Sequence, residues 1–159
     1  MIDIKAVNYQ DSEQAQQLVY LLNQYALDPM GGGDALAEQV QLELAVKLAD
    51  RSDTFSFIAY DDDQPVGLVN CVEGFSTFAA KPVMNIHDVV VLPTHRGKGI
   101  STLLLNEVEQ LARQRDCCKL TLEVLQGNKV AKASYLKFGF AGYELDPEMG
   151  QAMFWQKKL

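Results

Sequence analysis

The sequence predicts an α/β (α+β) fold, with short strands and helices alternating along a chain of 159 residues. Three observations lead there. Hydrophobic spacing switches repeatedly between strand-like alternation and helical intervals of three and four, and the switches coincide with Gly, Pro and Asp breakers. The β-branched run Val89-Val90-Val91 passes into an apolar helical pattern through a glycine-containing loop. A hydrophobic content of 48% is enough for a core, and no repeat, linker or low-complexity tract divides the chain. Residues 1–159 therefore read as a single domain.

Met1 to Val7 reads as a strand, because Ile2, Ile4 and Ala6 alternate with polar neighbours. Asp11 or Ser12 can cap a helix whose inner face is Ala15, Leu18, Val19, Leu22 and Ala26. Asp28-Pro29 stops that helix, and Met30-Gly31-Gly32-Gly33-Asp34 must be loop. The three glycines leave two readings open, a mobile lid or a plain connection. Leu36, Val40, Leu44 and Leu48, spaced by four, predict a helix over 35–49. Phe55–Tyr60 and Val66–Glu73 form a hairpin across Asp61-Asp62-Asp63-Gln64-Pro65, which is turn chemistry. Met84–Leu92 is the next strand, then a helix from Gly97 to about Arg115, then a strand over Lys119–Leu125. A helix starts at Asn128, and strands over 141–145 and 153–157 close the chain, about six to seven strands in all.

Composition excludes several function classes. The net charge of -7 argues against nucleic acid, whose phosphates need concentrated Lys and Arg. It also fits poorly with an anionic membrane, and it suits a cationic acceptor such as an amine. No apolar run approaches the ~20 residues that span a bilayer. Met1-Ile2-Asp3-Ile4-Lys5 lacks the basic start and apolar core of a signal peptide, so a cytoplasmic protein is expected. Cys71, Cys117 and Cys118 are odd in number and form no disulfide framework; they are expected to be reduced thiols that pack as small hydrophobes. No Cys/His spacing suggests a metal, and a homodimer is left open.

The loop Arg96-Gly97-Lys98-Gly99-Ile100-Ser101 carries the functional signal. Amides at a helix start lack intrahelical partners and lie at the positive end of the helix dipole. Gly97 and Gly99 allow close approach to the backbone, and Arg96 and Lys98 add positive charge, so a phosphate or pyrophosphate is the expected ligand. A Walker A loop needs Ser or Thr after its lysine, but Gly99 follows Lys98. A dinucleotide fingerprint needs a third glycine where Thr102 stands. The remaining pattern is Arg/Gln-x-x-Gly-x-Gly/Ala after a strand, with Ser101 at the last position. This resembles the coenzyme A pyrophosphate loop of the GNAT superfamily of N-acetyltransferases. A second stretch, Asn128 to Phe140, reads Asn-x-x-Ala-x-x-x-Tyr-x-x-x-Gly-Phe and is similar to the C-terminal signature of the same superfamily. Asn128 can cap that helix, Ala131 and Tyr135 share a face, and Gly139 suits its left-handed end.

The resemblance implies a three-layer fold, a mixed central sheet with helices on both faces. It also implies transfer of acetyl from acetyl-CoA directly to an amine. Gly97, Lys98, Gly99, Ile100 and Ser101 would hold the pyrophosphate through their amides, with Arg96 a less direct contact. Val89, Val90 and Val91 would pair their backbone with the pantetheine arm, and Asn128 would contact the cofactor. Tyr135, a phenol with a pKa of about 10, is the candidate acid for the leaving thiolate. The base stays open between His87, Glu123 and water alone. Some arylalkylamine N-acetyltransferases resemble this chain in carrying a histidine nine residues before the loop, and some protein N-terminal alanine acetyltransferases place a glutamate five residues before the asparagine. Asp88 should face the other side of the sheet from His87. His95 is expected to be exposed, with no role. Phe75, Phe78, Tyr20 and Tyr25 could line an apolar pocket or belong to the core. The acceptor is expected to be a small-molecule amine. The alternatives are a protein N-terminus or lysine, and a non-catalytic acyl-CoA-binding module.

Overall fold

The computed structural model describes all 159 residues, which divide into two compact units, Met1–Leu125 and Gln126–Leu159. In the first unit, strands β1 (Ile2–Ala6), β2 (Thr54–Asp61), β3 (Gln64–Ser76), β4 (Lys81–Val91) and β5 (Leu120–Leu122) lie side by side in sequence order. The first four are antiparallel and β5 runs parallel to β4, so the sheet is mixed.

Helix α1 (Ser12–Leu27) starts where the Asp11 carboxylate accepts from the amides of Glu13 and Gln14. Its Leu18 and Leu21 are fully buried against Ile58, Tyr60, Leu68 and Val90, and Leu44 and Leu48 of α2 (Glu38–Ala49) pack on the same cluster. Helix α3 (Ile100–Gln114) buries Ile100, Leu104, Leu105, Val108 and Ala112. Gly67, next to Leu68 and hence on the opposite face, is where Ile100 and Leu104 lie against the sheet. The unit is therefore layered, with α1 and α2 on one face and α3 on the other. No helix of the chain is long and apolar enough to cross a membrane.

The second unit holds α4 (Lys129–Phe138), capped at its start by Asn128, whose side chain accepts from the Ala131 amide. Gly139, at φ 112°, ends it in the left-handed conformation.

Several expectations need correction. The sheet has five strands, not six or seven. Residues 141–145 and 153–157 are not strands: the segment makes one bridge, Glu144 to Gln151, and Trp155 is 78% exposed. Alternation alone does not make a strand; a partner edge must take up its backbone groups. The strand expected over 119–125 pairs only across Leu120–Leu122. Gln64 and Pro65 belong to β3, because the hairpin closes in two residues, with Asp62 at φ 53°. Helix α2 begins at Glu38 and leaves Val40 42% exposed. Of the cysteines, Cys71 is buried and Cys118 exposed, so packing describes only the first.

Candidate active site

The site forms where β4 ends. Strand β4 pairs with β5 only from Met84 to Ile86, so from His87 to Val91 its far edge carries no strand partner. Asn70 of β3 pairs with Asp88 while Cys71 pairs with Ile86, which makes His87 an extra residue, a bulge at the point where β5 leaves. Val90 is buried in the α1 core, and Val89 and Val91 pair with Val69 and Gly67. Beyond Val91 the chain makes a short 3-10 turn over Pro93–His95 and enters α3 through Gly97 and Gly99, both at φ 78°. The left-handed backbone is the physical reason for these two glycines. Gly99 occupies the cap position of α3 and, lacking a side chain, supplies no capping oxygen of its own. A helix start of this kind, entered through left-handed glycines, is the local geometry that the sequence pattern expects of an anion site.

The motif arginine is placed differently from a phosphate ligand. Arg96 Nε donates to the Val91 carbonyl at 3.1 Å, and Nη2 donates to Asp28 Oδ2 at 2.8 Å. That partner lies 68 positions away, at the end of α1. Asp28 also accepts from the Met30 amide, and the two contacts hold its carboxyl below the usual carboxylate range. His95 is not an exposed bystander: its ring stands 3.5 Å from Asp61 Oδ2, and its Nδ1 meets the Thr94 hydroxyl at 2.9 Å.

His87 and Glu123 are both exposed, at the level where β4 and β5 part. Asp88 faces the α1 side with its partner Asn70, and there it ends a chain of hydrogen bonds across three strands. Asn70 Nδ2 donates to Asp88 Oδ2 at 3.0 Å, and Ser56 Oγ donates to Asn70 Oδ1 at 2.6 Å. Tyr9 and Ser56 hydroxyls are 2.9 Å apart. Ser56 has one proton and gives it to Asn70, so Tyr9 donates to Ser56, and every donor points toward the carboxylate. Burial pushes the Asp88 carboxyl up, partly opposed by the Asn70 hydrogen bond. Sequence alone singled out neither Asp28 nor Asp88.

In the second unit, Tyr135 is half-buried, its ring edge-on to Phe140 at 6.0 Å. Phe75 and Phe78 line an open hollow of about 370 Å³ at the β3–β4 tip, with Gly74, Val83 and Lys119. Tyr20 and Tyr25 are not part of it, and Tyr25 packs on the α1 core. The glycine run is tied down by hydrogen bonds: Met30 lies in a 3-10 turn, Gly33 donates to the carbonyls of Ala26 and Asp28, and the Leu36 amide donates to the Asn23 side chain.

Comparisons with known proteins fit this arrangement. Streptothricin acetyltransferase of Streptomyces lavendulae is 40% identical over 68 residues, 43% of this chain and 36% of that protein. Aminoglycoside N(6')-acetyltransferase type 1 of Acinetobacter haemolyticus is 26% identical over 108 residues, 64% of this chain and 68% of that protein. The match thus spans little more than a third of the first relative's length. Among solved structures, AAC(6')-Iy in complex with a bisubstrate analogue superposes with a TM-score of 0.79 at 18% identity, over 100% of this chain and 99% of that one, a likeness of fold. The family model described as "Acetyltransferase (GNAT) family" matches residues 15–140, from α1 through the glycine loop to the end of α4. On that match the chain belongs to the GNAT family of acetyltransferases.

Proposed function

We propose that the chain acts in the cytoplasm as one domain over 1–159, an N-acetyltransferase that moves the acetyl group of acetyl-CoA to a primary amine of a small molecule within a ternary complex. The observation that carries this reading is the union of an unpartnered β4 edge with a left-handed glycine turn at the start of α3. The turn receives the pyrophosphate on the amides of 97–101, and the pantetheine arm adds to the β4 edge as a short strand. From Val91 back to Asp88 is three strand residues, about 10 Å at ~3.3 Å each. The thioester then falls level with the bulge, beside His87, Asp88 and Glu123.

The amine must lose a proton before its lone pair attacks the thioester carbonyl, and the C–S bond then breaks to release a thiolate. Asp88 is the carboxylate whose orientation the protein fixes, and burial raises its proton affinity above the ordinary carboxylate value. His87 and Glu123 remain the exposed alternatives. Tyr135 gives the proton to the departing sulfur, and Asn128 contacts the acyl donor. The net charge of -7 and the amine-bearing antibiotics in the relatives' names support a cationic acceptor.

The test is a panel of streptothricin, an aminoglycoside, free lysine and a peptide with a free N-terminus, incubated with acetyl-CoA while free thiol is followed. Turnover with a small amine supports the reading. Turnover with the peptide alone would make the chain a protein acetyltransferase. No turnover with acetyl-CoA bound would make it a binding module.

A further inference from the structure

Two side chains that flank the glycine turn, Arg96 and His95, meet carboxylates from two different elements. Arg96 reaches the end of α1, where it meets Asp28, and its Nε is held by the Val91 carbonyl. The Asp28 side chain is 20% exposed and is fixed in turn by the Met30 amide, while its own carbonyl accepts from Gly31 at 2.8 Å. On the other flank His95 meets Asp61, the last residue of β2. Both bonding edges of the Arg96 guanidinium are thus committed to protein oxygens.

We propose that Asp28 and Asp61 are positioning residues for the cofactor loop, and that Arg96 is a strut between that loop and α1 rather than a ligand of the phosphates. This rests on the reading that the loop receives the pyrophosphate of acetyl-CoA. The physical gain is preorganisation. A glycine turn free to sample many conformations would lose that freedom on binding, and the two side-chain contacts remove part of that cost beforehand. A second consequence is that the charges of Arg96 and Asp28 offset each other, so little of the affinity comes from long-range attraction.

Calorimetric titration of the full chain with acetyl-CoA tests the proposal. Asp28→Asn keeps an oxygen to cap the Met30 amide but loses the charge that orients Arg96. Its affinity should fall about tenfold, ~1.4 kcal/mol, with the melting temperature nearly unchanged. Asp28→Glu, which keeps the carboxylate, should recover most of the loss, and Asp61→Asn should weaken binding less than Asp28→Asn. Arg96→Met should weaken binding as Asp28→Asn does, and the double variant should be no worse than either, since both break one strut. If Arg96 were a phosphate ligand, Asp28→Asn would bind as well as the parent or better and Arg96→Met alone would lose affinity, which overturns the proposal. Additive losses accompanied by a matching fall in melting temperature would overturn it as well, since they mark a purely structural contact. Gly99→Val reports on the underlying reading. If that variant binds normally, the loop is not the site; if it binds weakly while Asp28→Asn is unaffected, only the strut fails.

Discussion

Replacing Gly31 with alanine should destabilise the protein far more than the same change at Gly32, one residue on. A Cβ built on Gly31 would stand 2.0 Å from the Tyr25 carbonyl oxygen and 2.7 Å from its carbon, both backbone atoms in the last turn of α1. Neither can rotate away, so the turn over Pro29–Gly31 or the end of α1 must move, and Asp28 moves with them. Overpacking of this kind costs about 3 kcal/mol. For a chain of 159 residues that lowers the melting temperature by roughly 6–12 °C, at ~2–4 °C per kcal/mol. A Cβ on Gly32 meets nothing within 4 Å. Its φ of 118° is still unfavourable for an L-residue, at about 1 kcal/mol, so the expected fall is roughly 2–4 °C. Differential scanning calorimetry of the two variants decides the matter. A Gly31→Ala protein that melts within 2 °C of the parent, or above Gly32→Ala, would refute the close approach.

Tyr135→Phe keeps the ring against Phe140 and removes the hydroxyl, so turnover should fall by about one to three orders of magnitude with acetyl-CoA affinity retained. An unchanged rate, with chemistry limiting, would make it a packing residue. Asp88→Asn should abolish the ascending limb of the rate profile in pH, whereas His87→Ala or Glu123→Gln would do so if either were the base. The same change should stabilise the fold in a pH-dependent way. Because burial raises the folded pKa of Asp88, its destabilisation is absent below the unfolded value of about 4, grows as pH rises from there to the folded value, and is constant above it. The variant should therefore gain more in melting temperature at pH 8 than at pH 4, and a gain independent of pH would show that the carboxylate is not desolvated.

What the sequence made legible was local chemistry with one strong physical cause. Asp11, Asn128 and Gly139 cap helices because each supplies the oxygen or the left-handed backbone a helix end needs. The β-branched run and the two glycines place β4, the turn and α3 because few other residues tolerate those conformations. Illegible were features that depend on which distant groups meet. Asp28 and Arg96 lie 68 positions apart, and the Tyr9–Ser56–Asn70–Asp88 chain exists only once three strands take their register. The bulge at His87 is likewise a property of pairing. The closing segments read as strands because Ala141-Gly142-Tyr143-Glu144-Leu145 alternates, yet alternation says nothing about whether an edge waits to receive it.

The central claim is that the glycine turn before α3 holds acetyl-CoA through its backbone. Isothermal titration of the parent and Gly99→Val with acetyl-CoA tests it most directly, since a β-branched residue at φ 78° must rebuild the turn while α3 stays anchored by Ile100 and Leu104. The account predicts one site per chain in the parent and at least a tenfold loss, ~1.4 kcal/mol, in a variant that still unfolds cooperatively. Equal affinities in the two proteins, or no binding to the parent, would contradict it.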